Sequence, residues 1–243
     1  MIATTSTTNG HPSTTMQHLA TATPVANPGR RTAVLVGALF LVSTATFIVS
    51  NALITPLLGA NNVLGAVADH WQVMIAATLI GLIEGVATVG IAVALYPILK
   101  WQHPALALGY AGMRIAELAI AAVGLGLGSL ALVTLSGAAA NGTGGDLVAV
   151  LVGLRHWTLM LVYVYTGVGG VMLSYMLLRT RLIPRGLSVL GLVGYPALLL
   201  AAVLDMLGVV DTVAGSGLIG LVPGGLFELV LPIWLFARGF NRR

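Results

Sequence analysis

Four ionisable side chains lie inside long apolar stretches of this 243-residue sequence: Glu84, Arg114, Glu117 and Glu228. A charged group in the hydrocarbon of a bilayer costs at least a few kcal/mol, so such residues usually face a protein interior and have partners. Arg114 and Glu117 are three residues apart, which places them on one helix face where they can form an ion pair. The chemistry available to this group is proton exchange or the binding of a charged solute.

The charge balance within this group favours proton or cation chemistry. One arginine faces three glutamates, so full ionisation would leave negative charge uncompensated in a low dielectric. We therefore expect at least one glutamate to be protonated at neutral pH or neutralised by a bound cation. In the resulting hypothesis Glu84 and Glu228 are exchangeable carboxylates, and Arg114 holds Glu117 or an anionic substrate. The alternative is an Arg–Glu network that fixes helix register and has no other role.

A second group of residues suggests a different activity. His70, His156 and Asp205 lie near the ends of predicted spans, and their side chains are of the kinds that bind zinc. They predict an intramembrane metallohydrolase-like enzyme if they converge, although histidines beside Trp71 and Trp157 also suit a membrane interface. No histidine pair has the helical spacing of a zinc or haem motif. We therefore assign no metal ligand, cofactor or catalytic residue, and a non-enzymatic membrane scaffold subunit remains a third interpretation.

The composition identifies the solvent of the chain as lipid. The sequence is 58% hydrophobic and 7% charged, whereas soluble domains average about 25% charged residues. The basic residues sit at the ends of the apolar stretches, which argues against nucleic-acid binding. Because there is no cysteine, disulfides, thiolate catalysis and iron–sulfur clusters are excluded. The loops between the apolar stretches are short and contain no glycine-rich phosphate motif, which excludes ATP-driven pumping by this chain alone.

The apolar stretches predict an all-α bundle of about six transmembrane helices. Each stretch is long enough to cross a hydrocarbon layer about 30 Å thick. Residues 1–31 are rich in Thr, Ser, Ala and Pro and are expected to form a disordered cytoplasmic tail. Asp146 is expected to cap a short interfacial helix that ends at Leu154, before the fourth span. The predicted transmembrane domain covers 32–240, with spans near 32–58, 72–99, 107–135, 157–178, 186–207 and 216–238.

The distribution of Lys and Arg predicts the orientation. Nine of the eleven basic residues flank one side of the predicted spans, Arg155 alone lies on the other, and Arg114 lies inside a span. Cytoplasmic loops carry such an excess, so both termini are predicted to be cytoplasmic, with the protein in the plasma membrane.

Small residues recur four apart within the spans, as in Gly81 and Gly85, Gly124 and Gly128, and Gly220 and Gly224. In lipid such spacing allows helix backbones to approach closely. It permits a homo-oligomer without requiring one, so the lipid bilayer is the only partner that the sequence specifies. Pro223 and Pro232 are expected to break or kink the sixth span.

Four segments carry a family resemblance: ALYPILK (94–100), ALGYAGMRIAE (107–117), RLIPRGLSVLG (181–191) and PGGLFE (223–228). In this order they resemble an uncharacterised bacterial multi-pass membrane family, domain of unknown function 4386, over about residues 32 to 240. The family's Arg-x-x-Glu and its glutamate in the last span correspond here to Arg114, Glu117 and Glu228. The resemblance implies a multi-pass membrane protein of bacterial origin and implies no activity.

Overall fold

The computed structural model describes residues 29–138, 145–213 and 215–241. Residues 1–28 of the predicted tail lie outside the described residues. The helix α1 begins at Arg30, within the last two residues that were assigned to the tail. A π-helix, Ala121–Leu127, separates α4 from α5. The helices are α1 (Arg30–Leu58), α2 (Val63–Asp69), α3 (Trp71–Leu99), α4 (Pro104–Ile120), α5 (Gly128–Ala138), α6 (Gly145–Thr180), α7 (Arg185–Met206) and α8 (Leu218–Ala237).

Six helical segments are long and apolar enough to cross a bilayer: α1, α3, α6, α7, α8 and the continuous segment from α4 to α5. The prediction of an all-helical chain with six apolar spans is thus confirmed over the part of the chain that the structure describes. Four of the six predicted spans begin and end within two residues of α1, α3, α7 and α8. The short helix α2, which lies in the connection between the first two spans, was not predicted.

The separate short helix expected before the fourth span is not present among the described residues. Instead of a separate short helix before Trp157, α6 runs unbroken from Gly145 to Thr180. At 1.5 Å per residue its 36 residues extend about 54 Å. The segment contains no proline, and Arg155 is buried against the π-helix instead of ending the helix in water. Arg155 therefore lies within the helix bundle.

The helices pack closely where glycines face one another. A Cβ atom on Gly194 of α7 would lie 2.5 Å from the backbone nitrogen of Gly224 on α8, so these two helices meet backbone to backbone. Pro223 and Pro232 lie inside α8, which remains one helix from Leu218 to Ala237; the expected break is absent. Because Pro232 has no N–H, the carbonyl of Glu228, four residues earlier, has no helical donor.

The bundle has two chemically different ends. We call the end where α1 begins the basic end; it carries Arg30, Lys100, Arg179, Arg185 and Arg238. We call the other the far end; it contains α2, the end of α5, the beginning of α6 and the end of α7. The larger apolar core lies toward the basic end and includes the fully buried Leu95, Leu99, Met176 and Leu235.

The orientation of these ends in the membrane remains a prediction, and the absence of cysteine makes it easy to test. Asn61 at the far end is exposed, and a Cβ on Gly186 at the basic end would meet nothing within 4 Å. In intact cells, Asn61→Cys should react with a membrane-impermeant maleimide, whereas Gly186→Cys should react only after permeabilisation. The cysteine-free parent is the control. The reverse pattern would place the basic end outside.

Candidate functional site

The structure brings the four sequence-predicted ionisable residues to one cavity. Glu84 lies on α3, Arg114 and Glu117 lie on α4, and Glu228 lies on α8. All four line a central cavity of about 190 Å³, which α1, α6 and α7 also border. Glu84 and Glu228 both lie near the middle of their helices, a depth that corresponds to the middle of a bilayer.

Arg114 and Glu117 form a buried ion pair. Nη1 of Arg114 donates to Oε2 of Glu117 at 2.8 Å, and the two residues are 5% and 3% exposed. Thr166 of α6 completes the pair: its hydroxyl donates to Oε1 of Glu117 at 2.8 Å, and its carbonyl accepts from Nη2 of Arg114 at 3.1 Å. The Arg114 guanidinium also lies 5.4 Å from the centre of the Tyr110 ring. Arg114 is thus paired with Glu117 within α4.

Glu228 has hydroxyl partners. The Tyr195 hydroxyl donates to Oε1 at 3.2 Å, and the Thr44 hydroxyl donates to Oε2 at 3.4 Å. Tyr195 is 2% exposed, and its ring packs edge-on against Phe227 with the centroids 5.6 Å apart. A Cβ on Gly170 of α6 would overlap this ring, so the glycine leaves the space that the tyrosine needs. The bundle therefore holds the Tyr195 hydroxyl rigidly against a half-buried carboxyl group.

Glu84 is half-buried and borders two adjoining cavities. The buried hydroxyl-bearing residues Ser43 and Thr88 line the central cavity with it. Neither of the two ion pairs formed by described residues includes Glu84 or Glu228. Two carboxyl groups therefore face the cavity without a cation in salt-bridge contact. Carboxyl and hydroxyl oxygens can exchange protons or coordinate a small cation.

The central cavity is closed toward the basic end. Phe40 and Phe227 meet there edge to face with their centroids 6.5 Å apart. Beyond the cavity lies a gap of about 10 Å³, next to Tyr110 and Tyr195. Ile91, Leu95 and Leu99 then fill the interior, each about 1% exposed. These buried side chains lie between the glutamates and the basic end.

Toward the far end the interior is less tightly packed, and polar side chains such as Asn51 and Arg155 occur among its apolar ones. A gap of about 40 Å³ adjoins the central cavity and shares Glu84 and Phe47 with it. The gap in turn shares Asn51 and Arg155 with a vestibule of about 270 Å³ at the far end. Three neighbouring cavities thus lead from the far end to the glutamates, with Arg155 between the outer two.

Arg155 is a site residue that the sequence analysis missed. It was placed beside the fourth span, but it is 8% exposed and its Nη1 donates to the Leu125 carbonyl and to the Ser129 hydroxyl. The acceptor Leu125 belongs to the π-helix, in which the shifted hydrogen-bond pattern leaves carbonyls available to a side-chain donor. The sequence around Arg155 contains no residue that ends a helix. This feature could have indicated that Arg155 lies inside a continuous helix.

The predicted external site is only partly assembled. Nε2 of His156 lies 3.0 Å from Oδ1 of Asp205, while Nδ1 of His70 lies 3.1 Å from the Ala66 carbonyl. Oδ2 of Asp205 accepts from the backbone N–H and the hydroxyl of Thr212 at 2.6 and 2.7 Å. Within the described ranges, no three His, Cys, Asp or Glu side chains are grouped as metal ligands. The geometric condition for the metallohydrolase is not met, and Asp205 instead fastens the connection between α7 and α8.

Comparison with known proteins identifies the family and no activity. The family described as domain of unknown function (DUF4386) matches residues 35–239, a range that begins within α1 and includes all four intramembrane residues. Neither a curated protein nor a solved structure matches the chain.

The Arg114–Glu117 pair predicts an asymmetric response to mutation. Arg114→Gln leaves the Glu117 carboxylate buried without its cation, and we expect it to lower the free energy of unfolding by about 3 kcal/mol. The double variant Arg114→Met with Glu117→Met removes both charges and should lie closer to the wild type. Denaturant unfolding in mixed micelles measures both, with the exposed Thr134→Val as control. Equal losses in the single and double variants would contradict a charge-balanced pair.

Proposed function

We propose that this chain, which belongs to the family of domain of unknown function 4386, is a transporter that couples solute movement to protons or monovalent cations. The proposed coupling site is the central cavity. Glu84 and Glu228 are its exchangeable carboxyl groups, and Arg114 and Glu117 form its fixed, charge-balanced wall. One observation carries the proposal: two carboxyl groups without a salt-bridge partner face a cavity at mid-bundle.

The arrangement of charges supports ion coupling over a purely architectural network. An architectural network would pair its charges and fill the space between them, because unpaired polar groups in low dielectric are costly. Arg114 and Glu117 fit that description, since they are paired and nearly fully buried. Glu84 and Glu228 do not, since each remains partly exposed to a cavity. A scaffold subunit has no use for these two carboxyl groups.

The asymmetry between the two ends supports transport over static binding. Secondary transporters expose a midplane site to one side at a time. Here Phe40 and Phe227 close the cavity toward the basic end, while Arg155 stands in the polar route to the far end. This corresponds to a conformation closed at the basic end. With the orientation predicted from the basic residues, the solute site faces the outside of the plasma membrane.

The side chains that line the central cavity determine which coupling ion we propose. Among the described residues no group of three acidic or histidine side chains forms a metal site, so a divalent cation has too few charged ligands. A proton needs only one carboxyl group, and the Tyr195 and Thr44 hydroxyls can hydrogen-bond Glu228 in either protonation state. A monovalent cation would be held by the same oxygens.

The test is ion flux through purified protein in liposomes. Under an imposed pH gradient, or a sodium gradient at constant pH, we expect the wild type to carry protons or sodium. Glu228→Gln and Glu84→Gln should each lower that flux at least tenfold, because an amide cannot exchange a proton or supply a charge. Both measurements are made with the solute candidates of the next subsection present and absent.

Asp69→Asn is the matched control, since it removes an exposed carboxyl at the far end and leaves the cavity intact. It should transport like the wild type. If both glutamine variants keep wild-type flux, the carboxyl groups are not the coupling site. If the wild type carries neither ion with any solute candidate while the glutamine variants only change thermal stability, the architectural interpretation prevails.

A further inference from the structure

Among the buried charges of the described residues, Arg155 stands out because it forms no salt bridge. It is 8% exposed, and the two ion pairs among the described residues leave it out. Its hydrogen bonds to Leu125 and Ser129 both use neutral acceptors and both leave from Nη1. Nε is buried and has no acceptor. A guanidinium that is removed from water in this way carries a net positive charge into the protein interior.

The position of Arg155 gives that charge access to solutes. Its side chain borders the far-end vestibule on one side and the 40 Å³ gap that leads to Glu84 on the other. Asn51 and Thr55 of α1 supply further hydrogen-bonding groups to the vestibule, and His156 lines it as well. Asp211 is the acidic residue at this wall, where its Oδ1 accepts from the Val213 N–H at 2.7 Å.

We infer that the vestibule is a binding site for a small organic anion, with Arg155 as the residue that recognises its carboxylate. The unused Nε side of the guanidinium offers the planar two-donor edge that matches a carboxylate. The anion would supply the negative charge that Arg155 lacks within the bundle. A vestibule of about 270 Å³ accepts a molecule of a few to about a dozen heavy atoms.

The assignment rests on the proposed function in one respect, which is that the bound anion is then transported. It adds the class of solute to that proposal. Arg114 is already paired with Glu117, so of the two buried arginines among the described residues Arg155 is the one without a carboxylate in salt-bridge contact. An anion at Arg155 lies next to the gap that reaches Glu84. A carboxylate and a proton taken up together carry no net charge, which lowers the electrostatic cost of crossing the membrane.

The experiment measures binding without any gradient, on the full chain in detergent micelles. Acetate, lactate and benzoate are the probes, and acetamide, lactamide and benzamide are their uncharged counterparts of similar shape. At constant ionic strength, we expect isothermal titration to show binding of at least one carboxylate and at least tenfold weaker binding of its amide. Arg155→Gln should weaken carboxylate binding at least tenfold.

Two further variants separate recognition from folding. Thr134→Val removes an exposed hydroxyl of α5 outside the vestibule wall and leaves Arg155 and its partners in place, so it should bind the carboxylate like the wild type. Thr55→Phe fills the vestibule from an exposed position on α1 and should abolish binding. If Arg155→Gln does not fold, Thr55→Phe decides the matter.

The outcomes are distinct from those of the flux experiment. Failure of all three carboxylates to bind the wild type overturns the inference, and so does equal binding of an amide or undiminished binding by Arg155→Gln or Thr55→Phe. Ion flux that depends on Glu228 together with absent carboxylate binding would leave the transporter standing and remove only this site. Binding without flux would keep the site and overturn the transport proposal.

Discussion

The interior of this protein is organised by the requirement that charge in a membrane be balanced. Arg114 satisfies it within one helix turn by bonding Glu117 at 2.8 Å, and Thr166 joins the pair to α6. This pair lets α4 carry an arginine and a glutamate into the interior of the bundle. Because Glu117 already balances the charge of Arg114, the proposed change of protonation state is left to the other two glutamates, Glu84 and Glu228. Their partners are hydroxyl groups, which tolerate a change of protonation state where a second arginine would not.

Packing determines from which side these glutamates can be reached. The apolar side chains near the basic end fill the bundle, and Phe40 meets Phe227 across it. Toward the far end the bundle is interrupted by the π-helix, whose Leu125 carbonyl is bonded by Arg155. A π-helix costs hydrogen-bond regularity and is often retained at functional sites. Here it lies opposite Glu84 in the wall of the connecting gap. The π-helix thus accepts the hydrogen bond that holds Arg155, and it also forms part of the wall of the gap next to Glu84.

The sequence predicted the spans and the central cluster for a common reason. Hydrophobic length is a local property, and the cost of exposing Glu84, Glu117 and Glu228 to lipid favours their placement with Arg114 around an interior cavity. What the sequence could not predict depends on contacts between distant segments. Arg155 resembles an interfacial residue until the π-helix places Leu125 within its reach, and the run from Gly145 to Thr180 shows no break that fixes its start. The separation of His70 from the His156–Asp205 pair is likewise a matter of tertiary packing.

The two buried arginines show how one residue type serves two purposes in a single bundle. Arg114 has its counter-charge built into the chain, so its replacement should be felt as lost stability. Arg155 lacks one, and the protein accepts the cost of that buried charge at the mouth of a polar route. A purely structural donor to Leu125 and Ser129 would need no charge, since a neutral amide donates the same bond without the desolvation penalty of a guanidinium. Under the proposed function, an anion bound at Arg155 would balance that cation, and it would lie next to the carboxyl groups that we propose to exchange protons.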